Sequence, residues 1–160
     1  MEYNTIYLPD GNCVLLGSYH LSKPDIIDIE DIDVICDCTD VLYDNHMDPC
    51  YCLLDAHFKL DWTDSGEDDI TNLNYQSVYW NGWRFVEMDV ILMDLYEYIK
   101  NGKRVAIHCQ AGVSRSVALL CMLLIRHYGL SYQESIKLIR RDRSVADPNP
   151  YYVSVLSDFK

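Results

Sequence analysis

The chain has 160 residues, 49% of them hydrophobic, enough to close one core and too few for two ordinary domains, so a single domain over 1–160 is expected. Its formal net charge of −12 is uneven: residues 1–69 carry 17 acids and 2 bases, residues 70–160 carry 8 acids and 11 bases. The acidic half argues against a nucleic-acid or anionic-membrane partner and directs any anionic substrate to the C-terminal half, and the chain shows neither an apolar run of membrane-spanning length nor a secretory start.

In chain order, residues 1–12 read as an N-terminal extension. Cys13 to Leu16, between Gly11 and Gly17, is the first strand candidate, followed by Val34 to Cys38 and Ala56 to Leu60. The seven cysteines are Cys13, Cys36, Cys38, Cys50, Cys52, Cys109 and Cys121, an odd count in a chain large enough not to need staples. They read as reduced thiols of an intracellular, cytoplasmic protein. Cys36-x-Cys38 with Cys50-x-Cys52 has gaps too short for a usual zinc site, so no metal is expected and Cys36 and Cys38 read as buried strand thiols. Residues 65–83, SGEDDITNLNYQSVYWNGW, mix polar and aromatic residues and read as a loop or short irregular insertion.

From Arg84 to Lys100, Phe85, Met88, Ile91, Leu92, Leu95 and Ile99 fall at helical spacing, with Gly102 as a stop. Arg104 to His108 is a buried strand by its apolar run. Ser114 to Tyr128 is apolar nearly all round, the pattern of a helix buried at the centre of a domain, and Gly129 is placed to end it. Ser131 and Glu134 form a capping box for a further helix to about Arg143, and Pro148 and Pro150 forbid its continuation. The alternation of strand and helix patterns predicts an α/β domain.

The stretch HCQAGVSRS, His108 to Ser116, lies between that buried strand and that buried helix. A loop wrapping back onto a helix N-terminus directs successive backbone N–H groups into one concavity, where an anion is favoured. Gly112 permits the turn. The N–H groups of Gln110, Ala111, Gly112, Val113, Ser114 and Arg115 are candidate ligands for a phosphoryl group, and Arg115 adds a planar fork for two of its oxygens. A Cys109 thiolate ringed by these donors is stabilised and becomes a candidate nucleophile. Ser116 is a candidate donor to the departing sulfur, and His108 is expected to order the loop rather than react.

Cys109 and Arg115, with five residues between them, together with VLLGS (Val14 to Ser18), DVICDCTD (Asp33 to Asp40) and RSVADPNPYYVSVLSDF (Arg143 to Phe159), resemble the dual-specificity protein phosphatases of the protein tyrosine phosphatase superfamily, in particular the compact forms of eukaryotes and large DNA viruses. The resemblance covers roughly residues 13–160. It implies a central, mostly parallel twisted sheet flanked by helices, a cysteinyl-phosphate mechanism without cofactor, and phosphorylated proteins as substrates. It also implies a general acid, an Asp on a loop after the strand preceding the crossover helix. Asp61, Asp64, Glu67, Asp68 and Asp69 compete, and Asp64 fits the family frame best, with an insertion after Asp69 and Asp61 as second choice.

The loop residues between Cys109 and Arg115 are all neutral, which favours a singly phosphorylated protein side chain over a phosphoinositide or an RNA 5′-phosphate. The domain is too short for a classical tyrosine-specific enzyme, so phosphoserine and phosphothreonine are expected substrates beside phosphotyrosine. The rival from another class is a module that recognises phosphorylated partners without turnover.

Overall fold

A computed structural model describes residues 2–41, 53–66, 70, 74–79 and 82–160, with backbone alone at 74–79 and 82–85. Seven strands, β1 (Tyr3–Tyr7), β2 (Cys13–Gly17), β3 (Val34–Asp37), β4 (Ala56–Lys59), β5 (Asn74–Tyr79), β6 (Gly82–Glu87) and β7 (Val105–His108), form one sheet in the order β1-β2-β7-β3-β4-β5-β6. Helices α1 (Pro24–Ile29), α2 (Met88–Lys100), α3 (Arg115–Tyr128), α4 (Tyr132–Asp142) and α5 (Pro150–Asp158) complete it. The central strands β2, β7, β3 and β4 are mutually parallel, and antiparallel strands extend the sheet at both edges.

Successive strand residues serve opposite faces, as the pleat requires. Leu16, Cys36 and Ile107 belong to the large core under α2 to α5, while their neighbours Leu15, Ile35 and Ala106 pack with Leu21, Ile27 and Ile32 beneath α1. Burial on both faces accounts for the unbroken apolar runs in β2 and β7. Helix α3 packs on α2, α4, α5 and β7, so its whole first three turns, Arg115 to Ile125, are buried. Gly129 ends it in the left-handed conformation (φ 70°), and the Ser131–Glu134 capping box opens α4 as expected. No helix among the described residues is long and apolar enough to cross a membrane.

Two expectations are corrected. Residues 2–12, in the stretch read as an N-terminal extension, are built into the sheet: β1 pairs antiparallel with β2 from Tyr3 opposite Gly17 to Tyr7 opposite Cys13, and Ile6 and Leu8 are buried in the main core. Within 65–83 and the first residues of the presumed helix, the chain instead forms the β5–β6 hairpin, with Tyr79 paired to Gly82 and Asn74 to Glu87, so that α2 starts at Met88 rather than Arg84. Phe85 stands at helical spacing from Met88, yet it belongs to β6. Aromatic and β-branched residues in both segments, Tyr75, Val78 and Tyr79 in β5 and Trp83, Phe85 and Val86 in β6, favour the strand. Cys50 and Cys52 lie outside the described residues; Cys36 and Cys38 are buried free thiols.

Because Ile6 is fully buried while β1 would be dispensable in an extension, Ile6→Ala is expected to lower the unfolding free energy by about 2–4 kcal/mol in urea denaturation. A loss under about 0.5 kcal/mol, the usual size for a surface change, would show that β1 is not part of the cooperative unit.

Candidate active site

The loop from Cys109 to Ser114 leaves the C-terminal end of β7, at the centre of the parallel strands, and enters α3 at Arg115. Its backbone is sorted by direction. The carbonyls are taken up from outside: Gln110 O by Tyr19 N (3.2 Å), Ala111 O by Arg143 Nη2 (3.2 Å), Gly112 O by Arg143 Nε (2.8 Å), Val113 O by Asp147 N (2.8 Å) and Ser114 O by Ala118 N (2.8 Å). Gly112 N donates to Cys109 Sγ at 3.3 Å. Among the described residues, the N–H groups of Gln110, Ala111, Val113, Ser114 and Arg115 donate to no protein acceptor. Such a row of uncommitted donors at a helix N-terminus is an anion cradle.

Gly112 has φ 72° and lies so close to Gly17 that a Cβ on it would come within 2.4 Å of the Gly17 carbonyl carbon. Neither a side chain nor the ordinary backbone region fits there. Cys109, 2% exposed, lies at the floor, with Ser116 Oγ 3.2 Å from its sulfur. His108 is buried, with its Nδ1 3.3 Å from the Cys109 carbonyl, an acceptor, which places the ring proton on Nδ1. Burial pushes the His108 pKa down, with the nearby Asp37 opposing, so the ring is neutral and engaged with the loop backbone.

Arg115 is buried and its Nη1 donates to the carbonyl of Trp62 (2.8 Å) and lies 3.4 Å from Asp40 Oδ1. Its Nε and Nη2 have no partner among the described residues, leaving one edge of the fork for a ligand. The contact to Trp62 ties the loop to the segment carrying the candidate acids. Trp62 is itself anchored, 1% exposed and tilted against Tyr152 of α5 with ring centroids 5.8 Å apart. Beyond it Asp64 adopts φ 64°, a conformation with a cost for a side chain other than Gly. Asp64 Oδ1 accepts from Ser114 Oγ and from Asn149 Nδ2, each at 2.7 Å.

A cavity of about 570 Å³ is lined by Asp64, Cys109, Arg115, Val113, Asp147 and Asn149, with Gln110, Ala111 and Ser114 also at its wall. Asp61 points to other work: it is an ion-pair partner, at 3.5 Å, of the buried Lys59, which also contacts Asp37 at 3.4 Å and the Thr39 carbonyl. Glu67, Asp68 and Asp69 lie outside the described residues.

The model of the dual specificity phosphatase catalytic domain matches residues 14–160. The chain belongs to this family. Dual specificity protein phosphatase 1B of Arabidopsis thaliana is 36% identical over 62 residues, covering 39% of this chain and 37% of that protein. Dual specificity protein phosphatase 1-A of Xenopus laevis is 27% identical over 150 residues, covering 91% of this chain and 34% of that protein. The first matches among curated relatives span 32% to 46% of those proteins' length. Among solved structures, the human tyrosine phosphatase-like serine/threonine/tyrosine-interacting protein superposes with TM-score 0.76 at 18% identity, over 99% of this chain and 95% of that one. That similarity is one of fold.

In this dual specificity phosphatase domain the structure brings together Cys109, Arg115, Ser116, His108 and the loop donors, and sets Asp64 on the same cavity. Two contributors escaped the sequence reading. Asn149 was visible only as part of a Pro-flanked turn. Arg143 reads as the last charge of an amphipathic helix, yet it is 3% exposed and reaches back to the loop, with Nη1 also donating to Asn4 Oδ1 at 2.7 Å. Only its place beside the C-terminus of α4, not its residue type, sends it inward.

Replacing Arg143 with Met leaves the Ala111 and Gly112 carbonyls without their donor. The expected loss is about 2–4 kcal/mol of unfolding free energy in urea, against under about 0.5 kcal/mol for the exposed neighbour Arg141→Met. Equal effects at the two positions would show that the loop carbonyls do not depend on Arg143.

Proposed function

We infer that this domain hydrolyses phosphorylated tyrosine, serine and threonine side chains of proteins through a cysteinyl-phosphate intermediate. The observation that carries this reading is the cradle of loop N–H groups opening over the Cys109 sulfur, with the uncommitted edge of Arg115 at its side. Phosphorylated protein substrates, with neither nucleic acid nor membrane as partner, fit a wall in which Asp64 and Asp147 accompany the single guanidinium of Arg115. A polyphosphorylated ligand would meet those carboxylates with its extra charge.

In the first step the Cys109 thiolate attacks phosphorus in line with the departing oxygen. The S–P bond forms as the P–O bond breaks, and Asp64 transfers its proton to that oxygen, releasing the protein hydroxyl. Arg115 and the loop N–H groups hold the equatorial oxygens, where charge spreads in the transition state. In the second step water attacks the phosphorus, Asp64 takes a proton from it, and the S–P bond breaks to give inorganic phosphate. The Ser116 hydroxyl, 3.2 Å from the sulfur, stabilises the departing thiolate. Neither step calls for a cofactor or metal. His108 contributes by holding the loop backbone.

Asp64 is preferred to Asp61 as general acid because Asp64 lines the cavity and binds Ser114, whereas Asp61 is occupied with Lys59. With p-nitrophenyl phosphate in the presence of EDTA, Cys109→Ser is expected to have no turnover and Asp64→Asn to fall in kcat by roughly 10²–10⁴, the range for a lost general acid. Turnover surviving in Cys109→Ser overturns the mechanism. A normal rate in Asp64→Asn together with a slow Asp61→Asn moves the acid to Asp61. The same variants on phosphotyrosine and phosphothreonine peptides test the breadth of the substrate class, and binding of those peptides without turnover by the unaltered chain would favour a recognition module.

A further inference from the structure

The turn before α5 is built to face the acid loop. Asn149 is the N-cap of α5, and its Oδ1 accepts from Tyr152 N at 3.0 Å. That commitment decides the orientation of the amide: with the oxygen on the helix, Nδ2 must face the other way, and it meets Asp64 Oδ1 at 2.7 Å. The flanking Pro148 and Pro150 restrict the backbone on either side, Pro150 being the first helical residue. The position of the amide therefore follows from the helix start rather than from the acid.

The backbone closes the same circuit. Asn149 N donates to Ser114 Oγ at 2.9 Å, and the Ser114 hydroxyl, having accepted that bond, donates to Asp64 Oδ1 at 2.7 Å. Both donors converge on one oxygen of the carboxyl. In a protonated carboxyl the oxygen that accepts two hydrogen bonds is the carbonyl oxygen, so the acidic proton belongs on the other. The circuit also joins the three segments that make the site: the phosphate loop through Ser114, the acid loop through Asp64 and α5 through Asn149.

We propose that Asn149 is a positioning residue for proton transfer, holding Oδ1 of Asp64 jointly with Ser114 so that the proton given to the leaving group is carried on Oδ2. This rests on the reading of Asp64 as general acid. It makes a distinction that a merely structural role does not. In the first step a misplaced acid matters only when the departing oxide needs a proton, so its cost in kcat/KM must grow with the basicity of the leaving group.

The test uses a series of aryl phosphates from dinitrophenyl phosphate, whose leaving group departs readily as the anion, to phenyl phosphate, whose leaving group resembles tyrosine in basicity. The variant is Asn149→Ser, which keeps an N-cap acceptor for α5 but has no amide donor for Asp64. Its kcat/KM, which reports only the steps through departure of the leaving group, is expected to match the unaltered domain on dinitrophenyl phosphate and to fall about tenfold on phenyl phosphate, a part of the whole general-acid contribution. In an Asp64→Asn background the same substitution is expected to have no further effect, since the two residues act as one unit. Uniform slowing across the series, or an undiminished effect in the Asp64→Asn background, overturns the role of Asn149 alone. An Asp64→Asn variant whose own loss in kcat/KM is independent of leaving group overturns both this role and the assignment of Asp64.

Discussion

A loop that turns its N–H groups toward an anion must turn its carbonyls away from it, and here those carbonyls point into protein, where an unpartnered acceptor costs about 1–3 kcal/mol. Much of the domain is arranged around that constraint. Tyr19, Arg143, Asp147 and Ala118 supply a donor to each carbonyl from Gln110 to Ser114, and they come from three separate parts of the chain. The cradle is therefore rigid before any ligand arrives, the condition under which fixed dipoles stabilise developing charge without reorganising.

The parallel centre of the sheet explains why the loop is where it is. Strand β7 lies between β2 and β3, so the chain leaving its C-terminal end finds neighbours on both sides: Gly17 from β2, and Cys38, whose N–H donates to the His108 carbonyl at 2.9 Å. A crevice outside the carboxyl ends of parallel strands is the usual place for a ligand in such sheets. The closeness of Gly112 to Gly17 is the price of that confinement, because no Cβ fits between the two backbones. The outer strands β1, β5 and β6 widen the sheet on either side of these four.

The acid side of the cavity is organised differently. Asp61 and Asp64 both take left-handed backbone angles, a segment held by long-range partners instead of by regular structure. Trp62 supplies most of the anchoring through burial against Tyr152, its carbonyl binds Arg115, and Lys59 retains Asp61. The Cys109 side is set by β7 and α3, and the Asp64 side by α5 and the buried Lys59–Asp37 pair, which needs its additional Thr39 contacts to offset the desolvation of two charges.

The amino-acid sequence by itself determined the family, the strand-loop-helix at 105–128 and the candidacy of Cys109 and Arg115, because these depend on short-range spacing, apolar runs and a helix start that any reading of the chain can see. It located α3, α4 and their caps for the same reason. Residues 3–7 and 74–87 needed the sheet: a strand is specified by the partner that pairs with it, and β1 and the β5–β6 hairpin gain their place from β2 and β4. The choice among neighbouring carboxylates was likewise undetermined by local pattern. Tertiary structure separated Asp64 from Asp61 by giving one to Ser114 and Asn149 and the other to Lys59, and it turned Arg143 and Asn149 from surface-like residues into supports of the site, since hydrogen bonds across 31 to 85 residues leave no periodic trace in the chain.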